Sequence, residues 1–408
     1  MDDLHGNLRG IIEHMDDIQN LGIDVLYMTP IFQSNSCHKY DTTDYYQIDP
    51  SFGTTEDLKE LVQKAHERGM KVVLDAVYNH TGREFFAFAD ILENGEKSKY
   101  RDWYFIDGFP LKSEWGEIPN FKCFGYYGGM PKLNLKNPEV EKYITDVACY
   151  WIKECDIDGW RLDVGDEISH FFWKNFRKAV KAVKKDMLII GEIWHYAGDF
   201  LEGDEWDTVM NYPFYLNLID LLADEKITVS QFVQNLGYLK GRLHKNCYPL
   251  MWNLIDSHDT ARFLHLCNDN KKKQHLAAAF QLLLPGMPMI YYGDEYAMPG
   301  ANDPDCRRGM YWDEEYQDKE MYEWYKRLIQ VRKSHACIVE GELAGSVTED
   351  EEGTIVLIRK NGEETIAMIF NCSSSAKKFN EYTQKYNLLT ENTFDGNVEG
   401  VDAAVIVL

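Results

Sequence analysis

Positive charge is scarce in this chain. Its 43 Lys and Arg stand against 67 Asp and Glu, a formal charge of -24 over 408 residues, which argues against nucleic acid or an anionic membrane as a partner and leaves an uncharged polar ligand unopposed. Long apolar runs are missing as well: no segment approaches the roughly 18 uninterrupted apolar residues of a membrane span. The amino-terminal MDDLHGNLRG has no basic region followed by an apolar one, so neither secretion nor membrane insertion is expected. Cysteine is present without a pattern. Nine of them, at Cys37, Cys123, Cys149, Cys155, Cys247, Cys267, Cys306, Cys337 and Cys372, form no CxxC pair and no metal-ligand cluster, which excludes a disulfide scaffold and leaves no residue to assign to a metal. The expectation is a cytoplasmic protein with free thiols. Low-complexity segments and short solenoid repeats are absent too.

What the chain has is βα alternation. Apolar runs ending in polar residues recur as GIDVLYMTPIF (22–32), MKVVLDAVYN (70–79), GWRLDV (159–164), MLIIGEIW (187–194), DTVMNY (207–212), MWNLIDSHD (251–259) and MPMIYYGDE (287–295). Segments of helical period at 55–69, 138–154 and 168–185 lie between them, the pattern of crossover helices on a parallel sheet. The connection from His80 to about Leu135 is far longer than a usual loop and rich in Gly, Pro and aromatics, as in WGEIPNFKCFGYYGGMPKLN, so a small subdomain is expected there. After a helix near 322–333, TIVLIRK and TIAMIFN alternate with NG and EEG turn signals, an antiparallel β domain starting near Cys337. The fold expected is therefore α/β: a (β/α)8 TIM barrel of residues 1–79 and 136–336, a subdomain inserted at 80–135, and a C-terminal antiparallel β-sandwich at 337–408.

The run GWRLDVGDE (159–167) puts Arg161 and Asp163 on one face of a buried strand and Trp160, Leu162 and Val164 on the other. Taken alone, this could be an ion pair closing a core layer. Other strands do the same thing: Asp75 shares a face with Val73 and is followed by Asn79 and His80, Glu192 shares a face with Leu188, Ile190 and Trp194, and His258 and Asp259 follow the run of a later strand. Carboxylates, imidazoles and an arginine thus collect at strand carboxyl ends, where barrel enzymes build active sites. Glycoside cleavage needs one carboxylate kept ionised and a second kept protonated. Asp163 beside Arg161 suits the first role; Glu192, on an otherwise apolar face next to Trp194, suits the second. Asp259 could grip sugar hydroxyls and favour protonation of Glu192, while His80 and His258 could donate to hydroxyls.

DAVYNH (75–80), GWRLDVGDE (159–167), GEIW (191–194) and LIDSHD (254–259), in this order, resemble the four signature regions of the α-amylase family, glycoside hydrolase family 13. TPIF, HKYDTTDY, MPKLN (130–134), VMNYPF (209–214), PGMPMIYYGDE (285–295) and NDPDCRR (302–308) look most like its cyclomaltodextrinase, neopullulanase and maltogenic amylase subgroup. The resemblance implies a retaining hydrolase of α-1,4-glucans, with Asp163 as nucleophile, Glu192 as acid/base and Asp259 as transition-state stabiliser. It implies Tyr40 as a stacking platform, Asp75, His80, Arg161 and His258 as contacts to the reacting sugar, Glu167 and Trp194 toward the leaving group, and Asp305 and Arg307 toward the non-reducing side. Core packing is the alternative for Trp194, and a surface ion pair for Arg307. Malto-oligosaccharides, cyclodextrins, pullulan and starch are the implied substrates; no cofactor is required, and calcium is left open through Asn79. Where the subgroup reads DVANE this chain has Gly165 and Asp166. The resemblance also implies a β-sandwich and a first barrel strand ahead of DLHGNLRGIIEHM, neither of which is read here, so seven strands stand where eight would close a barrel. In this subgroup the β-sandwich supports a homodimer. The rival reading is a truncated or non-catalytic amylase-like scaffold that binds glucan without turnover.

Overall fold

The computed structural model describes residues 6–112, 118–244 and 246–408, so the first residues of the amino-terminal stretch and the WGE of WGEIPNF lie outside the described residues. The chain divides into two compact units, residues 1–193 with 199–209, and residues 194–198 with 210–408.

In the first unit, Val25–Met28, Lys71–Ala76, Gly159–Leu162, Leu188–Gly191 and Thr208–Val209 form one parallel sheet in chain order. These are the first five strands read from the sequence, each shorter than its apolar run. The helices between them start where the sequence signals a start. Thr54 accepts from the amide of Asp57, and Asp57 accepts in return from the amide of Thr54, which opens Thr55–Glu67. Asn137 caps Pro138–Cys155, with the proline in the first turn, and Ser169 caps His170–Val183. Each helix buries a stripe, for example Phe172, Trp173, Phe176 and Val180; full burial of one such side chain stabilises by roughly 1.5–3 kcal/mol.

Register then fixes what is level with what. Asp75 lies opposite Arg161, and Arg161 opposite Ile190, so with period-two alternation Asp75, Arg161 and the residues two further on share a face. The other face carries Trp160, fully buried between Phe32 and Tyr78 at ring distances of 6.4 and 5.9 Å. The long connection after His80 is folded by isolated bridges, His80 to Lys132, Tyr104 to Leu133, Ile106 to Phe121 and Cys123 to Pro131. Its α-helix Phe86–Asn94 packs Phe88 edge-on against Tyr104 at 5.0 Å.

In the second unit, Trp252–Asn253 and Met287–Pro288 pair in parallel, and Met210 bridges to Trp252. After Trp252–Asn253 the chain turns away: the amide of Phe263 donates to Asp256 at 2.7 Å and holds the LIDSHD segment in a bend. Beyond the helix Lys319–Ser334 and a short helix Ala336–Glu340, the β region begins at Glu342. It is a six-stranded antiparallel sheet that includes Thr354–Asn361 and Glu364–Asn371, plus a two-stranded ribbon, Lys377–Lys378 with Asn397–Val398. Val398, Phe379 and Phe394 pack with Val356, Ala367 and Ile369 of the large sheet. Phe280 of Lys271–Leu283 stacks on Phe370 at 4.2 Å. No described helix is long and apolar enough to cross a membrane.

Candidate functional site

In the first unit the site is organised by one guanidinium. Arg161 is completely buried, and its Nη1 donates to both oxygens of Asp75 at 3.1 and 3.0 Å and to Asp163 at 2.9 Å. Its Nη2 lies 2.8 Å from Glu192. Three carboxylates from the ends of three neighbouring strands therefore meet on one cation. An isolated arginine could not be buried there without such partners; burial acts to lower its pKa, but Asp75 and then Glu192 hold it well above the ordinary value. Asp75 responds in the other direction: burial raises its carboxyl to about 6, while Arg161 and then the Tyr27 hydroxyl pull it down.

Glu192 requires a correction. It was expected on an otherwise apolar face, but besides the guanidinium it accepts the amide of Val164 at 2.9 Å. That amide is aimed by an unusual backbone, because Val164 sits at φ 46° and ψ 42°, a left-handed conformation that a β-branched residue rarely adopts. Such strain persists where the surroundings over-determine it, and it is found here on the residue after Asp163. Gly165, the departure noted beyond it, has a physical reason: a Cβ there would come within 2.9 Å of the Trp206 ring.

Tyr40 joins the cluster through its hydroxyl, 3.2 Å from Asp75. His80 is buried, with Nε2 3.0 Å from the carbonyl of Tyr40, Nδ1 3.4 Å from the Asn79 amide, and its ring stacked on Phe124 at 5.2 Å. Both ring nitrogens thus face protein groups, and through them this histidine ties Asn79 to the segment carrying Tyr40. Burial lowers its pKa to about 4, against the smaller upward effect of the Tyr40 carbonyl. The neutral ring with its proton on Nε2 satisfies that carbonyl. Glu167 lies at the rim, paired with Lys132 at 2.5 Å and with the Asn79 amide at 3.4 Å.

Two residues escaped the sequence reading. Tyr27 donates to Asp75 at 2.8 Å from inside the run VLYM, where nothing marks it as different from a core tyrosine. Lys132 comes from MPKLN, a motif seen as kinship and not as a side chain reaching Glu167. For calcium, the side-chain oxygen of Asn79 is buried without a hydrogen-bond partner among the described residues, a single donor where the ion takes six to eight. No group of three or more His, Cys, Asp or Glu among the described residues could hold a metal. Among the described residues these donors do not make up a calcium site.

In the second unit, His258 Nε2 lies 3.2 Å from Asp259, and Arg307 reaches toward the same carboxylate at 3.8 Å while donating to the His258 carbonyl at 2.9 Å and pairing with Asp303 at 3.0 Å. Arg307 is therefore more than a surface pair. Asp305 instead bonds Arg308 at 2.6 Å and the Ala301 amide at 2.7 Å, and the amide and then the arginine lower its pKa. Beneath LIDSHD, Arg262 is fully buried and paired with Asp294 of YYGDE at 3.1 Å. Trp194 stacks on Tyr212 at 3.7 Å yet remains 40% exposed, which rules out core packing as its whole role.

The family model described as "Alpha amylase, catalytic domain" matches residues 1–319. A cyclomaltodextrinase of Geobacillus thermopakistaniensis (strain MAS1) is 48% identical over 371 residues, 91% of this chain and 63% of that protein. Neopullulanase 2 of Thermoactinomyces vulgaris is 43% identical over 367 residues, 90% of this chain and 62% of its own. A solved structure of a cyclomaltodextrinase has a TM-score of 0.94 at 39% identity, covering 98% of this chain and 71% of that one. The chain spans less than two thirds of the length of both curated relatives.

Proposed function

Because the chain belongs to the α-amylase family, with that family's TIM-barrel catalytic fold and a C-terminal antiparallel sheet domain, we propose that it is a retaining glycosidase. Its substrates are α-1,4-glucans: malto-oligosaccharides and cyclodextrins, with pullulan and starch as further members of the class. The observation that carries this reading is the convergence of Asp75, Asp163 and Glu192 on buried Arg161. That Asp163 and Glu192 share one guanidinium favours the short carboxyl separation of a retaining pair, about 5 Å, over the about 6.5–9.5 Å of an inverting pair.

Asp163 attacks the anomeric carbon and forms an ester to it as the glycosidic C–O bond breaks; Glu192 gives its proton to the departing oxygen. Glu192 then removes a proton from water, which cleaves the ester and restores the original anomeric configuration. Asp259 takes the stabilising role by its place in LIDSHD, with His258 and Arg307 around it. Asp75 and Tyr40 face the reacting sugar, the tyrosine ring offering its apolar face to sugar C–H groups. Trp194 and Glu167 flank the leaving group. Residues 80–135 are assigned to a subdomain that adds to the barrel of 1–79 and 136–336, and 337–408 to the β domain. The free thiols suit a reducing cytoplasm.

The test is product analysis with maltotriose, β-cyclodextrin, pullulan and soluble starch, wild type beside Glu192→Gln. The wild type should cleave, releasing the α-anomer first, and the variant should be slower by about 10²–10⁴-fold. A soluble, cooperatively folded wild type that binds glucan and cleaves none would establish the scaffold reading instead.

A further inference from the structure

We infer that the cleft between the helices Tyr212–Leu218 and Val229–Arg242 is a distal glucan-binding site, which takes the reducing-end part of a long chain beyond Trp194. The inference rests on the reading just given, in which Trp194 flanks the leaving group. The cleft measures about 370 Å³, and Trp194, Tyr196, Leu216, Asn235, Tyr238 and Arg242 are among its lining residues; this is a volume in the range of small-ligand sites.

Three features of the lining point to a sugar. Its large apolar groups are left to solvent: Trp194 is 40% exposed, Leu216 46% and Tyr238 67%. The apolar stripe of Val229–Arg242 begins with buried Val229 and Phe232, but Leu236 and Leu239, which continue it, are only partly covered and line the cleft. Second, the aromatic rings are fixed in place. The Arg242 guanidinium lies 4.0 Å over the Tyr196 ring and 5.3 Å over that of Tyr238, and the Tyr196 hydroxyl donates to the Arg242 carbonyl at 2.8 Å. Third, polar groups are interleaved with the rings. The amide of Asn235 donates to buried Asn217 at 2.8 Å, and Asn217 donates to the Phe232 carbonyl at 3.1 Å, which orients Asn235 on the cleft wall. Asp220 is presented from Ile219–Ala223, a π-helical turn of the kind enriched at functional sites.

A pyranose offers an apolar C–H face that packs on aromatic rings, and a rim of hydroxyls that bond amides, carboxylates and guanidinium groups. One acid and one base in the lining leave no net charge to attract an ion, and the interleaved polar groups would be stranded under an apolar peptide helix. A neutral hydroxylated chain fits best. Trp194 lines this cleft and is the second residue after Glu192 in the chain.

The experiment compares kcat/KM on maltoheptaose and maltotriose for the wild type, Tyr238→Ala, Arg242→Ala and, as a control on the same helix outside the lining, Lys240→Ala. Maltoheptaose binding to Glu192→Gln protein is measured in parallel, with and without Tyr238→Ala. The maltoheptaose to maltotriose ratio should fall about tenfold in the two cleft variants and stay at the wild-type value in the control, with binding weakened by a similar factor. An unchanged ratio and unchanged binding in the cleft variants would overturn the inference. So would an unchanged ratio accompanied by a shift in sedimentation, which would reassign the cleft to contact between copies of this chain. If the wild type hydrolyses nothing, the catalytic reading fails separately, and the binding measurement still decides the cleft.

Discussion

His80→Gln should abolish a pH dependence that the buried imidazole imposes on folding. His80 has its pKa lowered from 6.5 to about 4, chiefly by burial. As pH falls below about 6.5, the unfolded chain takes up a proton that the native protein refuses, so stability is lost. For one such group the loss is about 2 kcal/mol at pH 5 and approaches about 3 kcal/mol near pH 4. Asp75 works in the opposite sense. Its carboxyl is raised to about 6, so between pH 6 and its ordinary range the native state holds a proton that the unfolded chain releases, and its contribution grows as pH falls. The two effects overlap, and the wild-type profile alone would conceal both. A glutamine side chain can still donate to the Tyr40 carbonyl, and Asp75 is common to both proteins, so their difference isolates the imidazole. Urea unfolding at pH 7.5 and pH 5 should show the variant gaining about 2 kcal/mol on the wild type over that interval, with equal denaturant slopes. Parallel stability profiles would mean that His80 takes up its proton in the native state, and the burial argument would be refuted.

Arg161→Met removes the cation from three carboxylates and should cost about 3–5 kcal/mol in urea unfolding at pH 7.5; the loss should shrink at pH 5, where the abandoned acids can protonate. Gly165→Ala drives a methyl to within 2.9 Å of the Trp206 ring, which is itself stacked on Phe200 at 4.0 Å, and should cost about 1–3 kcal/mol. A stability unchanged within about 0.5 kcal/mol would show that the Trp206 ring yields.

The strand pattern was legible because period-two alternation is local: reading WRLDV suffices to put Arg161 and Asp163 on one face. The seven strands and four of the helices follow from similarly local signals, such as the Thr54 and Asp57 capping pair. What could not be read was register. The contact from Arg161 Nη2 to Glu192 exists because Arg161 is level with Ile190, a fact of pairing between strands that no single run encodes. Tyr27 was missed for the same reason, since it is level with Val73, two residues short of the Asp75 it bonds. The surroundings of Glu192 were misjudged because Val164 was read as continuing the strand, whereas its left-handed turn delivers an amide to the acid.

These corrections change what the buried ion pair means. A strand that merely closed a core layer would need one acid for one base, and desolvation would disfavour any surplus. Here carboxylates outnumber the guanidinium three to one, at the mouth of a sheet and with Glu192 and Asp163 still partly reachable at side-chain exposures of 10% and 7%. Folding stability gives no reason to collect that excess. A transition state that gathers positive charge at an anomeric carbon does: the aspartates supply negative charge where it develops and water is excluded, and Glu192 supplies the proton for the leaving oxygen. The surplus of acid over base around Arg161, more than the ion pair itself, is what favours the proposed glycosidase reading over a structural bridge.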